Sequence, residues 1–334
     1  MIYANNNYLN NLPLISSMNI ILLVLDALRS DHLSASGYRR QTSPNIDSLA
    51  KNGAFFKNSV TPIPRTSPAV ASILTGLYPH SHGIRFLYTT KLNQNVSTMQ
   101  EILKAHGYTT VGHAIELQDT GLEKGFDVFN PISWRLINKI KRSMKKTLMW
   151  EHKADPVDML TNFGIKQIDR LKGKKFFLYL HYMGIHWPYD PPHPYNEMFD
   201  KGYKGEHSFN KADDRLKRGD LIFNNRLQKE ENEHAVAHYD GCIRYVDFHV
   251  GRLISHLEKN GLMKDTLIIL TSDHGEGFGE HNIYFEHGEY LYDETLIVPL
   301  IIHHPKLPHK IIESQVQLTD IMPTVMELLG IPLL

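Results

Sequence analysis

At 334 residues with a 42% apolar share, the chain can bury a sizeable core as one large domain or two modest ones. Lys plus Arg and Asp plus Glu both total 36, which excludes a global field that would draw the chain to nucleic acid or an anionic surface. A single cysteine, Cys242, excludes an internal disulfide and a cysteine-paired metal site.

Asn19 to Leu25 (NIILLVL) is apolar on both faces, as a central parallel strand requires. Its core, Ile20 to Leu25, is too short for a membrane span and lacks a basic n-region and a cleavage site, so it reads as a strand and the chain as cytoplasmic. A helix follows with Ser43 as N-cap, Pro44 in its first turn and Gly53 past its end. Pro64 to Gly76 (PRTSPAVASILTG) predicts a short helix capped by Thr66 or Ser67, with Pro68 in its first turn. A helix over Thr98 to His106, closed by Gly107, leads to a strand over Tyr108 to Ile115.

Leu136 to Leu148 places apolar residues four apart beside five basic ones; a solvated face is preferred over contact with lipid or an anionic substrate. Phe176 to His181 (FFLYLH) and Thr266 to Thr271 (TLIILT) are buried-strand candidates. Between them a long helix carries Val236, Ile243, Val246, Val250, Leu253 and Leu257 at near-helical spacing. Asn196 to Glu233 is polar and aperiodic, a surface excursion or lid. Ile297 to Ile302 is read as an edge strand because of Pro299, and the last helix has Asp320 as cap, Pro323 in its first turn and Gly330 at its end. Strands alternating with helices predict an α/β fold, a three-layer sandwich with a mainly parallel central sheet flanked by helices.

Ligands of such sheets bind beyond the carboxyl ends of the strands. There the first strand ends in Asp26, the FFLYLH strand runs out through His181 to His186, and the TLIILT strand ends in Asp273-His274. Asp26 is either a helix cap or a ligand. The adjacent Asp273 and His274 suit a metal better than a turn, and their mixed oxygen and nitrogen donors favour Zn²⁺ or Mn²⁺ over Ca²⁺. A hydroxyl at Thr66, on a helix N-terminus that attracts anions, is either a cap or a nucleophile. Gly275, Gly277 and Gly279 imitate a dinucleotide loop, but Glu280 stands where its third glycine belongs, and neither a P-loop nor a G-x-S-x-G elbow is present.

Read in order, these segments resemble the sulfatase superfamily, which has the alkaline-phosphatase-like fold. Asp26 to Tyr38 is similar to its opening metal segment, Thr66 to Gly83 to its nucleophile segment, and Gly184 to Pro192 to the segment carrying an active-site histidine, here His186. Ser272 to Gly288 is similar to the second metal segment with a later catalytic histidine, here His287, and Val316 to Pro332 to the closing helix. Sulfatases proper carry a Cys or Ser, converted to formylglycine, where this chain has Thr66, and an Arg where it has Val70; Ala27 replaces the second of two adjacent Asp ligands. The resemblance then implies one divalent ion held by Asp26, Thr66, Asp273 and His274, as in the phosphonate monoester hydrolase and phosphotransferase branches. His113 is the substitute for a Lys and His that usually follow the corresponding strand.

The expectation is a metal-dependent hydrolase of sulfate or phosphate esters, with Thr66, His186 and His287 catalytic. The substrate is a small-molecule, glycan or lipid-linked anionic ester; no nucleic acid partner and no transmembrane segment are expected, and self-association is open. A phosphotransferase and an inactive binding protein of the same fold are the alternatives. A single catalytic domain over residues 1–334, without the C-terminal subdomain of many family members, completes the reading.

Overall fold

The computed structural model describes residues 14–15, 18–86, 90–115, 117, 119–132, 155–200, 202–205 and 228–333. Nine strands form one sheet: β1 (Asn19–Leu25), β2 (Ala54–Val60), β3 (Thr109–Ile115), β4 (Val128–Ile132), β5 (Phe176–Tyr182), β6 (Thr266–Thr271), β7 (Ile297–His303), β8 (Lys310–Ile312) and β9 (Val316–Gln317). Their order is β4-β3-β5-β1-β6-β7-β2-β8, with β9 also on β2. The β6–β7 and β7–β2 ladders are antiparallel and the rest are parallel, so the sheet is mainly parallel as expected.

Alternation along β1 builds a core on each face. Ile20, Leu22 and Val24 join Tyr179 and Ile269 under α2 (Thr66–Thr75), α3 (Met99–Ala105) and α6 (Ile321–Leu328), through Val70, Leu103 and Val325. Ile21, Leu23 and Leu25 join Leu178 and Leu270 under α1 (Pro44–Lys51), α4 (Pro156–Arg170) and α5 (Lys229–Lys259), through Ile46, Leu160 and Val250. Each fully buried Leu or Ile side chain contributes roughly 1.5–3 kcal/mol, which makes β1 the spine of the sandwich.

The Thr98 cap is reciprocal, Thr98 Oγ1 accepting from Glu101 N while the Glu101 carboxylate accepts from Thr98 N. Two local expectations are corrected. β7 is an interior strand, not an edge. Pro299 is tolerated because the β2 ladder shifts register there, between the Phe56–Leu300 and Ser59–Val298 pairs, and the β6 ladder stops at Leu300. Asp320 leaves α6 uncapped; its carboxylate instead accepts from Gln317 N at 2.9 Å.

The basic segment Leu136 to Leu148 lies outside the described residues, as do residues 206–227 of the proposed lid. The lid's last residues, from Lys229, already belong to α5. No helix among the described residues is long and apolar enough to cross a membrane.

Candidate active site

The three central strands β5, β1 and β6 end side by side, and the turns after β1 and β6 are tied together. Leu28 N donates to Ser272 Oγ at 2.9 Å and Ala27 N to Asp273 Oδ1 at 3.3 Å. Ala27 adopts φ 60°, a left-handed conformation unusual for a residue with a side chain. Asp26, fully buried, immediately precedes it. Neither of its carboxylate oxygens has a hydrogen-bond partner among the described residues, so Asp26 caps no described helix.

Asp273 divides its oxygens. Oδ1 also accepts from His274 N at 3.1 Å, while Oδ2 is buried without a partner. His274 Nδ1 donates to Gly275 O at 2.9 Å, which leaves Nε2 facing the carboxylates, 3.6 Å from Asp26 Oδ1 and 3.5 Å from Asp273 Oδ2. Ligand atoms of Asp26, Asp273 and His274 all lie within 4.8 Å of one another.

Thr66 occupies the first turn of α2, with Arg65 rather than Thr66 or Ser67 at the N-cap position, and no side chain caps the helix. Its hydroxyl is directed elsewhere: Oγ1 lies 3.3 Å from His274 Nε2. Arg65 fastens this helix end to the His287 loop, its Nε donating to Gly288 O at 2.9 Å and its guanidinium pairing with Glu289 at 2.7 Å. Val70 is fully buried in the core beneath α2, so its departure from the family pattern serves packing.

His287 stacks on His274 with ring centroids 3.9 Å apart, and His186 meets His287 edge-on at 5.2 Å. The imidazoles thus stand together beside the carboxylates. His186 Nδ1 donates to Trp187 O at 2.7 Å, and His287 Nδ1 donates to Glu276 Oε1 at 3.1 Å. His113 is not part of this group. It is buried on β3 against Phe163 of α4, with Val111 on the opposite face of the sheet from Thr66.

Electrostatics follow from this crowding. Burial pushes the Asp26 carboxyl up, but His181, His186 and His274 outweigh it and hold it well below the usual carboxylate range. Asp273, with fewer close imidazoles, is pushed up by burial and by the Asp26 charge. Burial pulls His274 down, yet the two aspartates raise it; burial and His274 together push His287 down to about 3.

Two residues with no role in the sequence reading stand in the site. His181 of β5 is buried, with Nε2 3.3 Å from Asp26 Oδ2. Glu276, also buried, accepts from His287 and, at 3.2 Å, from the Tyr189 hydroxyl. The signal for Glu276 was hidden by its glycines. Gly275 is required not by a nucleotide but by a crossing chain, since a Cβ there would lie 2.0 Å from Glu294 O.

Buried carboxylate oxygens without partners are costly. The unpartnered atoms of Asp26 and Asp273 converge with His274 Nε2, a donor set that fits a divalent cation.

Comparison with known proteins agrees with this geometry. The Sulfatase family model matches residues 18–331. The chain is 27% identical over 360 residues to an arylsulfatase of Clostridium perfringens, covering 92% of this chain and 74% of the relative. It is 28% identical over 382 residues to the multifunctional alkaline phosphatase superfamily protein PehA of Trinickia caryophylli, covering 93% and 74%. Its fold superposes on the phosphonate monoester hydrolase of Agrobacterium radiobacter with a TM-score of 0.74 at 22% identity, over 94% of this chain and 74% of that one. The chain belongs to the sulfatase family of ester hydrolases.

Proposed function

We propose that this chain is a metal-dependent hydrolase of sulfate or phosphate esters, with Thr66 as nucleophile and with Asp26, Thr66, Asp273 and His274 holding one divalent ion, Zn²⁺ or Mn²⁺ in preference to Ca²⁺. The reading rests on one observation: three segments far apart in sequence bring two buried carboxylates, an imidazole and a threonine hydroxyl together, with three carboxylate oxygens lacking partners. When bound, a divalent ion supplies Lewis-acid polarisation of the ester and favours the alkoxide form of a threonine.

The free N–H groups at the start of α2 orient the anionic ester. Thr66 releases its hydroxyl proton to solvent, and Oγ1 forms a bond to sulfur or phosphorus as the bond to the departing alcohol oxygen breaks on the opposite side. That oxygen takes a proton from the protonated His186 ring, which regains one from solvent. His287, oriented by Glu276, then accepts a proton from the water that cleaves the covalent Thr66 ester and passes it to the departing Thr66 Oγ1, releasing sulfate or phosphate and restoring the hydroxyl. An unmodified threonine cannot follow the formylglycine route, so hydrolysis of this ester closes the cycle. The arylsulfatase and phosphatase-superfamily relatives support both ester classes as candidates.

Thr66→Ala is expected to lower kcat/KM on p-nitrophenyl sulfate and phosphate esters by on the order of 10³-fold or more, measured at saturating metal because Thr66 is also a ligand. Intact mass spectrometry after a rapid quench should locate a sulfuryl or phosphoryl group on the Thr66 peptide. A Thr66→Ala enzyme with most of its metal-dependent activity would refute the assignment.

A further inference from the structure

His181 is the last residue of β5 on its face of the sheet, and the register places it level with Val24, two residues before Asp26. It shares the face of Val24 and Tyr179, the face on which α2 presents Thr66. Its side chain is completely buried, and its Nε2 is 3.3 Å from Asp26 Oδ2 and 3.9 Å from Asp273 Oδ2. The first approach lacks the alignment of a hydrogen bond and the second is too long for one, so Nε2 has no hydrogen-bond partner among the described residues. Those two carboxylate atoms are also unpartnered.

The other ring nitrogen is occupied. Nδ1 lies 3.2 Å from the hydroxyl of Tyr179, itself fully buried two residues earlier on the same face. With Nδ1–H donating to that hydroxyl, the Nε2 lone pair projects into the gap between the two aspartates. This is the arrangement in which a second hydrogen bond fixes the tautomer and direction of a metal-binding imidazole. In the opposite tautomer an Nε2–H would sit between two carboxylates while aligned with neither. The position after β1 where a second acid would stand is Ala27, whose side chain offers no donor atom.

We propose that His181 is a direct ligand of the divalent ion, so that the site is built from two carboxylates, two imidazoles and the Thr66 hydroxyl, one donor set drawn from the ends of all three central strands. The inference rests on the metal reading of this site and adds to it a ligand from β5. Two nitrogen donors bias the site toward Zn²⁺, Co²⁺ and Mn²⁺ and away from Ca²⁺, which prefers oxygen alone.

Proton NMR of the full chain loaded with Co²⁺ tests the ligand independently of turnover. A coordinated imidazole with a hydrogen-bonded Nδ1–H gives an exchangeable, strongly shifted resonance. Two are expected, from His274 (held by Gly275 O) and from His181 (held by Tyr179). His181→Gln should remove one and weaken Co²⁺ binding by about 100-fold or more, since changes to outer-shell partners alone cost 10–100-fold. Tyr179→Phe should move one resonance while the stoichiometry stays at one ion. A single resonance in the native protein overturns the His181 assignment and leaves the metal reading intact, and this count needs no variant to fold. Failure of the native protein to bind Co²⁺ stoichiometrically overturns both.

Discussion

Replacing Glu276 tests how much of the reaction depends on a carboxylate that contacts His287 rather than substrate. Glu276 is fully buried and receives the His287 Nδ1–H at 3.1 Å and the Tyr189 hydroxyl at 3.2 Å. As His287 gains a proton, its bond to Glu276 changes from one between a neutral ring and an ion to one between two ions. Hydrogen bonds to charged groups contribute about 1.5–3 kcal/mol and neutral ones about 0.5–1.5 kcal/mol, so Glu276→Gln should remove about 1–1.5 kcal/mol of transition-state stabilisation. At 1.36 kcal/mol per tenfold, that is a loss of about 5- to 15-fold in kcat. Glu276→Ala also abolishes the orientation of the ring, and about 1.5–3 kcal/mol, or about 10- to 150-fold, should be lost. KM should change little, because the bond strengthens only as the proton arrives. The measurement is steady-state kinetics on an aryl ester, with active-site concentration set by metal content and folding checked by thermal melting. Two folded, metal-loaded variants each within twofold of the native kcat would refute the role given to the Glu276–His287 pair.

Other outcomes can be checked at the bench. Removing the ion with a chelator should lower the thermal midpoint by several degrees, since a ligand present at 100 times its Kd adds about 2.7 kcal/mol; scanning calorimetry with and without Mn²⁺ reads this directly. Gly275→Ala should destabilise the fold by about 3 kcal/mol or more, seen in urea titration, because the added methyl meets Glu294 O at 2.0 Å. Burial pushes His113 down to about 4, so between its ordinary value near 6.5 and about 4 the unfolded chain binds the extra proton and stability falls as the pH drops through that window. At pH 5 the loss amounts to about 2 kcal/mol, and His113→Leu should show a correspondingly smaller drop between pH 7 and pH 5 in urea.

The strands legible in the sequence were those buried on both faces. β1, β5 and β6 are unbroken apolar runs because helices cover the sheet above and below them. β2 escaped notice because Lys57 and Asn58 interrupt its second half where the ladder to β7 shifts, and β4 and β8 are too short to show a period. Pro299 misled for a related reason: a missing donor marks an edge only where the neighbouring ladder continues past it. In the site, Asp26, Thr66, Asp273 and His274 were readable because each stands at the end of an apolar run or the start of a helix, where polar side chains need a reason. His181 looked like the polar end of a strand, and what distinguishes it is the register that sets it beside Asp26, a fact about pairing across more than 150 residues of chain.

That strand order has a consequence for how the protein matures. Asp26, His181 and Asp273 belong to neighbours in space contributed by the early, middle and late thirds of the polypeptide. On the metal reading proposed above, no stretch emerging during synthesis would carry enough of the cation cage to retain an ion by itself. Loading would then await insertion of β6 alongside β1, and metal occupancy would double as a certificate that the sheet has closed correctly.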